Sequence, residues 1–264
     1  MDRAAAVAEK RARYEAFLVE KVAAAPSHGF EVSSDDVNPA CKPHVRAIVP
    51  WAVGRGRAAI FSLFGLQKTS CQLEIVRIVL ARAGGRALIV CPLGVRQEFA
   101  RDAIELLGWS EAPRFVRTSA DVGGDGIYIT NWESVRAGKL DPSLFTVLSC
   151  DEADALRSFG SKTFGEVVIV GGWNEIPYRF VASATPDPND YLELLGYAQF
   201  LGVMDIGQAK TRFFKRDSEH ADRLTLHEHK EGEFWSWLAG WAIVIQKPSD
   251  LCSCDCHRKV EAHV

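Results

Sequence analysis

The sequence predicts an α/β domain, a mostly parallel sheet with helices on both faces, and three observations carry that expectation. Its apolar runs are near-continuous rather than alternating, at Ala87-Leu88-Ile89-Val90-Cys91, Phe145-Thr146-Val147-Leu148-Ser149-Cys150 and Tyr178-Arg179-Phe180-Val181-Ala182. Strands buried on both faces read this way, and segments of helix length separate them here. A further run, Ile60-Phe61-Ser62-Leu63-Phe64, ends in a turn at Gly65. Leu66-Gln67-Lys68-Thr69-Ser70 follows, and then a stretch whose Leu73, Val76 and Leu80 fall at helical spacing. Finally, Lys68, Asp151 and Ser183 each lie just past such a run. Ligands collect at the carboxyl ends of parallel strands, so three distant segments should converge on one cleft.

The 264-residue, 29.1 kDa chain has room for one large domain with an appendage, and its 47% hydrophobic content suffices for a buried core. A net charge of −3 gives no global basic field, so any nucleic-acid contact must be local. No apolar run reaches the length of a membrane span, and the N-terminus lacks a signal peptide's apolar block. No membrane partner is expected. Cys71, Cys91 and Cys150 sit in or beside apolar runs, as reduced, buried thiols do, which suits the cytoplasm.

Taken in order, residues 3–25 predict an alanine-rich helix stopped by Pro26, within an N-terminal segment 1–27. Residues 26–43, rich in Pro, Ser, Asp and Asn, read as loop, and 44–53 as a short helix. Strands are expected at 58–64, 87–91, 115–116, 127–129, 145–150 and 178–182, with an amphipathic helix over 95–107. Residues 191–201 predict a helix, 210–216 a basic and aromatic loop, and 224–226 a strand. An aromatic-rich helix is expected over 233–245, and the tail 252–264 matches nothing before it.

The strand, glycine turn, Lys-Thr and helix form the layout of a phosphate-binding loop. Its backbone N–H groups and helix N-terminus face an anion, Lys68 reaches the outer phosphates, and the Thr69 hydroxyl can ligate Mg²⁺. Gly65, Leu66, Gln67, Lys68, Thr69 and Ser70 are the candidate nucleotide-binding residues. Gln67 departs from the pattern, which has glycine before the lysine. Asp151 and Glu152, after a buried strand, suit a Mg²⁺ ligand and a water-polarising base; acids at a helix N-terminus are the alternative. Ser183-Ala184-Thr185 is informative only through its position. Thr130 and Asn131 could touch a nucleic-acid backbone or simply cap a helix. Residues 210–216 suit a single-strand groove or a solvated turn with its phenylalanines tucked into the core. Cys252, Cys254, Cys256 and His257 are spaced too tightly for a zinc knuckle.

With these segments in order, residues 28–251 resemble the first RecA-like domain of superfamily 2 helicases, and in particular the DEAD-type helicases of phages and prophages, related to Swi/Snf translocases. Residues 62–69 correspond to motif I, 87–92 to Ia, 129–133 to Ib, 151–154 to II and 183–185 to III. Phe159-Gly160-Ser161-Lys162-Thr163-Phe164 and the stretch 207–214 also resemble that group. The resemblance implies ATP and Mg²⁺, with Lys68, Asp151 and Glu152 in hydrolysis. It assigns coupling to Ser183 and Thr185, and nucleic-acid contact, to DNA rather than RNA, to Pro92, Thr130 and Asn131. Val45 stands where the family has its adenine-reading glutamine. The chain also stops after Gln246-Lys247-Pro248-Ser249-Asp250, where relatives continue into a second RecA-like domain. That domain carries an arginine finger worth about 10³–10⁵ in rate in related phosphoryl-transfer sites. A truncated product, weak alone and completed by a domain on another chain, is expected. The alternatives are a non-hydrolysing nucleic-acid- or partner-binding module, and an unrelated P-loop kinase or transferase. The Asp-Glu pair after a strand and the later Ser-Ala-Thr argue against the kinase.

Overall fold

The computed structural model describes residues 27–156, 164–165, 171–184, 191–216 and 224–251. The expected N-terminal helix, Thr185, the cysteine-rich tail and most of the 159–164 stretch lie outside the described residues.

Among the described residues seven strands form one sheet in the order β3-β4-β2-β5-β6-β1-β9, and all six pairings are parallel. They are β1 (Arg57–Ser62), β2 (Arg86–Cys91), β3 (Arg114–Phe115), β4 (Gly126–Asn131), β5 (Val147–Asp151), β6 (Tyr178–Ser183) and β9 (Ala242–Ile245). A separate antiparallel ribbon pairs β7 (Phe214–Arg216) with β8 (Leu224–Leu226).

The strands read as continuous apolar runs because each feeds two cores. Ala59 and Phe61 of β1, Leu88 and Val90 of β2, and Leu148 and Cys150 of β5 point into one. Their alternating neighbours Ala58, Ile60, Ala87, Ile89 and Val147 point into the other. The second core is closed by α1 (Pro43–Arg55), α2 (Lys68–Ala83) and α3 (Arg96–Arg101), the last continued by a wider turn over Asp102–Leu106. The first is closed by α4 (Trp132–Arg136), α5 (Leu192–Leu201), α6 (Ile206–Phe213) and α7 (Glu231–Ala239). Pro43 opens α1, where a missing N–H costs nothing, and Gly56 closes it at φ 69°. A Cβ on Gly56 would lie 2.6 Å from the backbone of His28 and Gly29, so glycine lets the incoming chain press against the helix end.

Two expectations are corrected. Residues 210–216 are not a loop: they finish α6 and form β7. The Asp205 carboxylate accepts from the Gly207 and Gln208 amides to start that helix, and Ala209 and Phe213, four apart, are buried. Phe213 and Phe214 both pack edge-on to Phe234, so the phenylalanines do sit in the core. The aromatic helix also ends sooner than expected. α7 stops at Ala239, Gly240 and Trp241 turn the chain, and Ala242–Ile245, with β-branched Ile243, Val244 and Ile245, becomes β9 beside β1. No helix among the described residues is long and apolar enough to cross a membrane.

Candidate functional site

The register fixes which residues share the carboxyl edge of the sheet. Phe61 pairs with Ser183, Ala182 with Asp151, Cys150 with Val90, and Cys91 with Asn131. The loop after β1, the acids after β5 and the end of β6 therefore meet, with β6 lying between the other two strands.

β1 ends at Ser62, and Leu63–Gln67 turn into α2, with Gly65 at φ 82° and Gln67 at φ 55°, ψ 40°. The left-handed backbone at Gln67 explains why glycine suits this position. A β-carbon costs roughly 1–2 kcal/mol in that region. Here glutamine adopts it, and its side-chain oxygen accepts from the Lys42 amide at 3.1 Å. The side chain thus tethers the loop to the start of α1. His44 adds a second tether, its Nε2 lying 3.1 Å from the Leu66 carbonyl oxygen.

Lys68 opens α2, and its Nζ lies 2.6 Å from Glu152 Oε1, across 84 residues of sequence. Glu152 sits at φ 42°, a second strained position in the same cleft. Asp151 is buried to 3% exposure. Burial pushes its carboxyl up to about 6, opposed by the nearby Lys68 ammonium and by the Gln72 hydrogen bond. Gln72 Nε2 donates to Asp151 Oδ1 at 2.9 Å, while Gln72 Oε1 accepts from Ser149 Oγ at 2.8 Å. From the other side, the Trp132 indole N–H donates to the Asp151 carbonyl at 3.0 Å. Both the carboxylate and the backbone of Asp151 are therefore held.

Gly65, Gln67, Lys68, Thr69, Asp151 and Glu152 line one cleft of about 450 Å³, with Phe64, 80% exposed, at its rim. A larger depression of about 590 Å³ lies by Trp51 and Arg55, without a comparable set of convergent groups. Among the described residues no group of three or more His, Cys, Asp or Glu could hold a metal. A single carboxylate, Asp151, with the Thr69 hydroxyl and substrate phosphates suits Mg²⁺, which keeps few protein ligands.

Not every candidate faces this cleft. Ser70 is buried and donates to Asp102 Oδ2 at 3.1 Å, and Leu66 contributes its carbonyl to His44. Thr130 is buried with its hydroxyl donating to the Val116 carbonyl, and Asn131 caps α4 by accepting from the Ser134 amide. Ser183 is fully buried at the end of β6, and Pro92 closes β2. Gln72, Ser149 and Trp132 went unforeseen. The signal available was a glutamine on the buried side of α2, one turn after Lys68.

No family model matches the sequence, and no curated protein matches it either. Solved structures do. The Sulfolobus solfataricus SWI2/SNF2 ATPase core in complex with dsDNA superposes with a TM-score of 0.60 at 14% identity, over 79% of this chain and 45% of that one. The SWI2/SNF2 ATPase core domain from the same organism gives 0.58 at 16% identity, over 83% and 47%. The chain thus spans under half the length of each. At such identities the likeness shows the fold alone, a mostly parallel α/β sheet domain like the one in those ATPase cores.

Proposed function

We propose that this chain is the ATP-binding half of a DNA helicase- or translocase-like ATPase, of the DEAD type found in phages and prophages, acting in the cytoplasm. The observation that carries the reading is the meeting of Lys68 and Glu152 at 2.6 Å beside buried Asp151, at the end of a phosphate-loop strand. The first-turn amides of α2 and the Lys68 ammonium would hold the β- and γ-phosphates. Asp151 and Thr69 would hold Mg²⁺, which supplies charge neutralisation between phosphate oxygens when bound. Lys68 must leave Glu152 to reach a phosphate, and that exchange frees the Glu152 carboxylate to orient and deprotonate an attacking water. Gln72 and Trp132 keep Asp151 in place while this happens.

Ser183, with Thr185, would couple the cleft to nucleic acid bound along the same edge. Pro92 and Asn131 would line that path, with Thr130 acting through the strand end it braces. DNA is the favoured partner: the SWI2/SNF2 neighbour is a complex with dsDNA. A second RecA-like domain, on this or another chain, would close the cleft and supply the missing cation.

A second reading, a nucleic-acid- or partner-binding module that keeps the fold and does not hydrolyse ATP, is favoured by Gln67, whose β-carbon occupies a left-handed position at the phosphate approach. Two measurements on the purified chain separate them: binding of a fluorescent ATP analogue with and without Mg²⁺, and phosphate release with and without DNA. Mg²⁺-dependent binding with DNA-stimulated release is the expected result. DNA binding without phosphate release supports the module, and no nucleotide binding at all overturns the ATPase reading.

A further inference from the structure

Away from the nucleotide cleft, the carboxyl edge of the sheet continues across β2, β4 and β3. Arg96 follows the end of β2, and Arg117 stands two residues past Phe115, which ends β3. β4 lies between those strands and ends at Asn131. From either side of β4 the two guanidiniums gather on one ring. Arg96 lies over Phe115 at 4.4 Å from the ring centroid, and Arg117 at 5.6 Å.

Other arginines nearby are spent. Arg101 pairs with Asp102, and Arg114 lies over Tyr128 while donating to the Asp125 carbonyl at 3.3 Å. Among the described residues, neither the Arg96 nor the Arg117 guanidinium donates to a protein acceptor or pairs with a carboxylate. Asp121 lies close enough to Arg117 to feel its charge. Its Oδ2, however, accepts from the Arg117 and Thr118 amides and the Thr118 hydroxyl, which fixes the backbone without engaging the guanidinium.

The mount beneath these cations is braced. Val116, between Phe115 and Arg117, is buried; its amide donates to the Ile129 carbonyl at 2.9 Å, and its carbonyl accepts from the Thr130 hydroxyl at 2.8 Å. Phe115 is half-buried against the second core. A guanidinium lying on a ring keeps its N–H edge free for two parallel bonds to a phosphate, and it is weakly hydrated. The ring, half-buried and covered by cations, is not the open platform that base stacking uses. With a net charge of −3 over the whole chain, attraction for a phosphate backbone requires a local cluster of unspent cations, and this is one.

Given the reading of the carboxyl edge as the nucleic-acid path, we propose that Arg96 and Arg117 bind phosphates of one DNA strand, with Phe115 as the residue that positions them. The path then runs from Pro92 past Asn131 to the end of β3. Its grip here falls on the backbone and is independent of base sequence.

The test is fluorescence anisotropy of two short labelled DNA duplexes of unrelated sequence, titrated with the full chain across a salt series. Arg96→Gln and Arg117→Gln should each weaken binding about three- to tenfold on both duplexes, and each should flatten the dependence of log affinity on log salt by roughly 0.9. Arg117 is exposed, so its replacement tests the site even if Arg96→Gln folds poorly. Phe115→Leu keeps both charges and should still lose affinity severalfold, whereas Phe115→Tyr, which keeps the ring, should retain it. Arg55→Gln is the control: Arg55 lies over Trp51 at the amino edge, and its loss should change neither affinity nor slope. Binding of the fluorescent ATP analogue should be the same in every variant. A chain that binds both analogue and DNA, with Arg96→Gln and Arg117→Gln no different from Arg55→Gln, overturns this site and leaves the ATPase reading standing. A loss confined to one duplex, or a wild-type chain that binds the analogue but no DNA, also overturns it.

Discussion

The two edges of the central sheet treat charge in opposite ways. At the carboxyl edge Lys68 meets Glu152 directly, with Asp151 one residue away and held by Gln72. At the amino edge, among the described residues, Arg57 and Arg179 meet carbonyl oxygens and each other's field and form no ion pair with a carboxylate. The same strands, β1 and β6, serve both ends. Opposite charges left in contact can exchange partners when a ligand arrives, so the paired edge is suited to turnover. Like charges wedged among carbonyls have nothing to exchange, so the unpaired edge can only hold structure. Pairing, rather than the presence of charge, distinguishes the end proposed to react.

The largest effects should come from the paired edge. Glu152→Gln should abolish Mg²⁺-dependent phosphate release, a loss of roughly 10²–10⁴, while nucleotide binding persists because Lys68 is released from its partner. Asp151→Ala should instead lose Mg²⁺-dependent binding of an ATP analogue. Equal loss of binding in both would erase the division between metal ligand and base. At the other edge, Arg179→Ala should lower unfolding free energy by about 3 kcal/mol in urea titrations, through a cavity and two carbonyls left unpaired. Nucleotide affinity measured below the transition should not change; a parallel loss of affinity would show that the two edges are not independent.

A smaller effect is expected from Trp132→Phe, which leaves the Asp151 carbonyl without its donor. Stability should fall by about 1–2 kcal/mol, and Mg²⁺-nucleotide affinity severalfold. Conservation of both would mean that Asp151 needs no backbone brace. The smallest concerns Gln67→Gly. Relief of the left-handed strain and loss of the Lys42 tether oppose each other, each about 1 kcal/mol. ATP-analogue affinity should therefore shift by less than about tenfold, and a larger gain would show that the side chain obstructs the phosphates.

How far the sequence spoke depended on whether a signal was local. Strands β1, β2, β5 and β6 were legible because two-faced burial keeps them almost wholly apolar, and Lys68, Asp151 and Glu152 because each lies at or just past the end of such a run. β9 was hidden by the aromatic stretch before it: Phe234, Leu238 and Trp241 carry a helical rhythm past Gly240, and nothing local says that the next four residues will pair with a strand made long before. α6 was hidden because Lys210 and Arg212 interleave with the Ala209–Phe213 spacing. The grip of Gln72 and Trp132 on Asp151 was out of reach, since each contact joins elements far apart in sequence. The amino-edge arginine pair was invisible for the same reason. Arg57 opens β1 and Arg179 is the second residue of β6, and only the register brings the two together.

The place of β1 in the sheet has a consequence for how the chain is made. Its neighbours are β6 and β9, and the Leu63 amide that begins the loop before α2 donates to the Ile245 carbonyl at 3.2 Å. A ribosome delivers β1 first and both of its neighbours late. Throughout most of synthesis the strand carrying the loop is a bare, apolar template, open to pairing with any other nascent chain. Chains released before residue 242 would present that edge permanently, so they should aggregate in proportion to their concentration, whereas chains released after residue 245 should not.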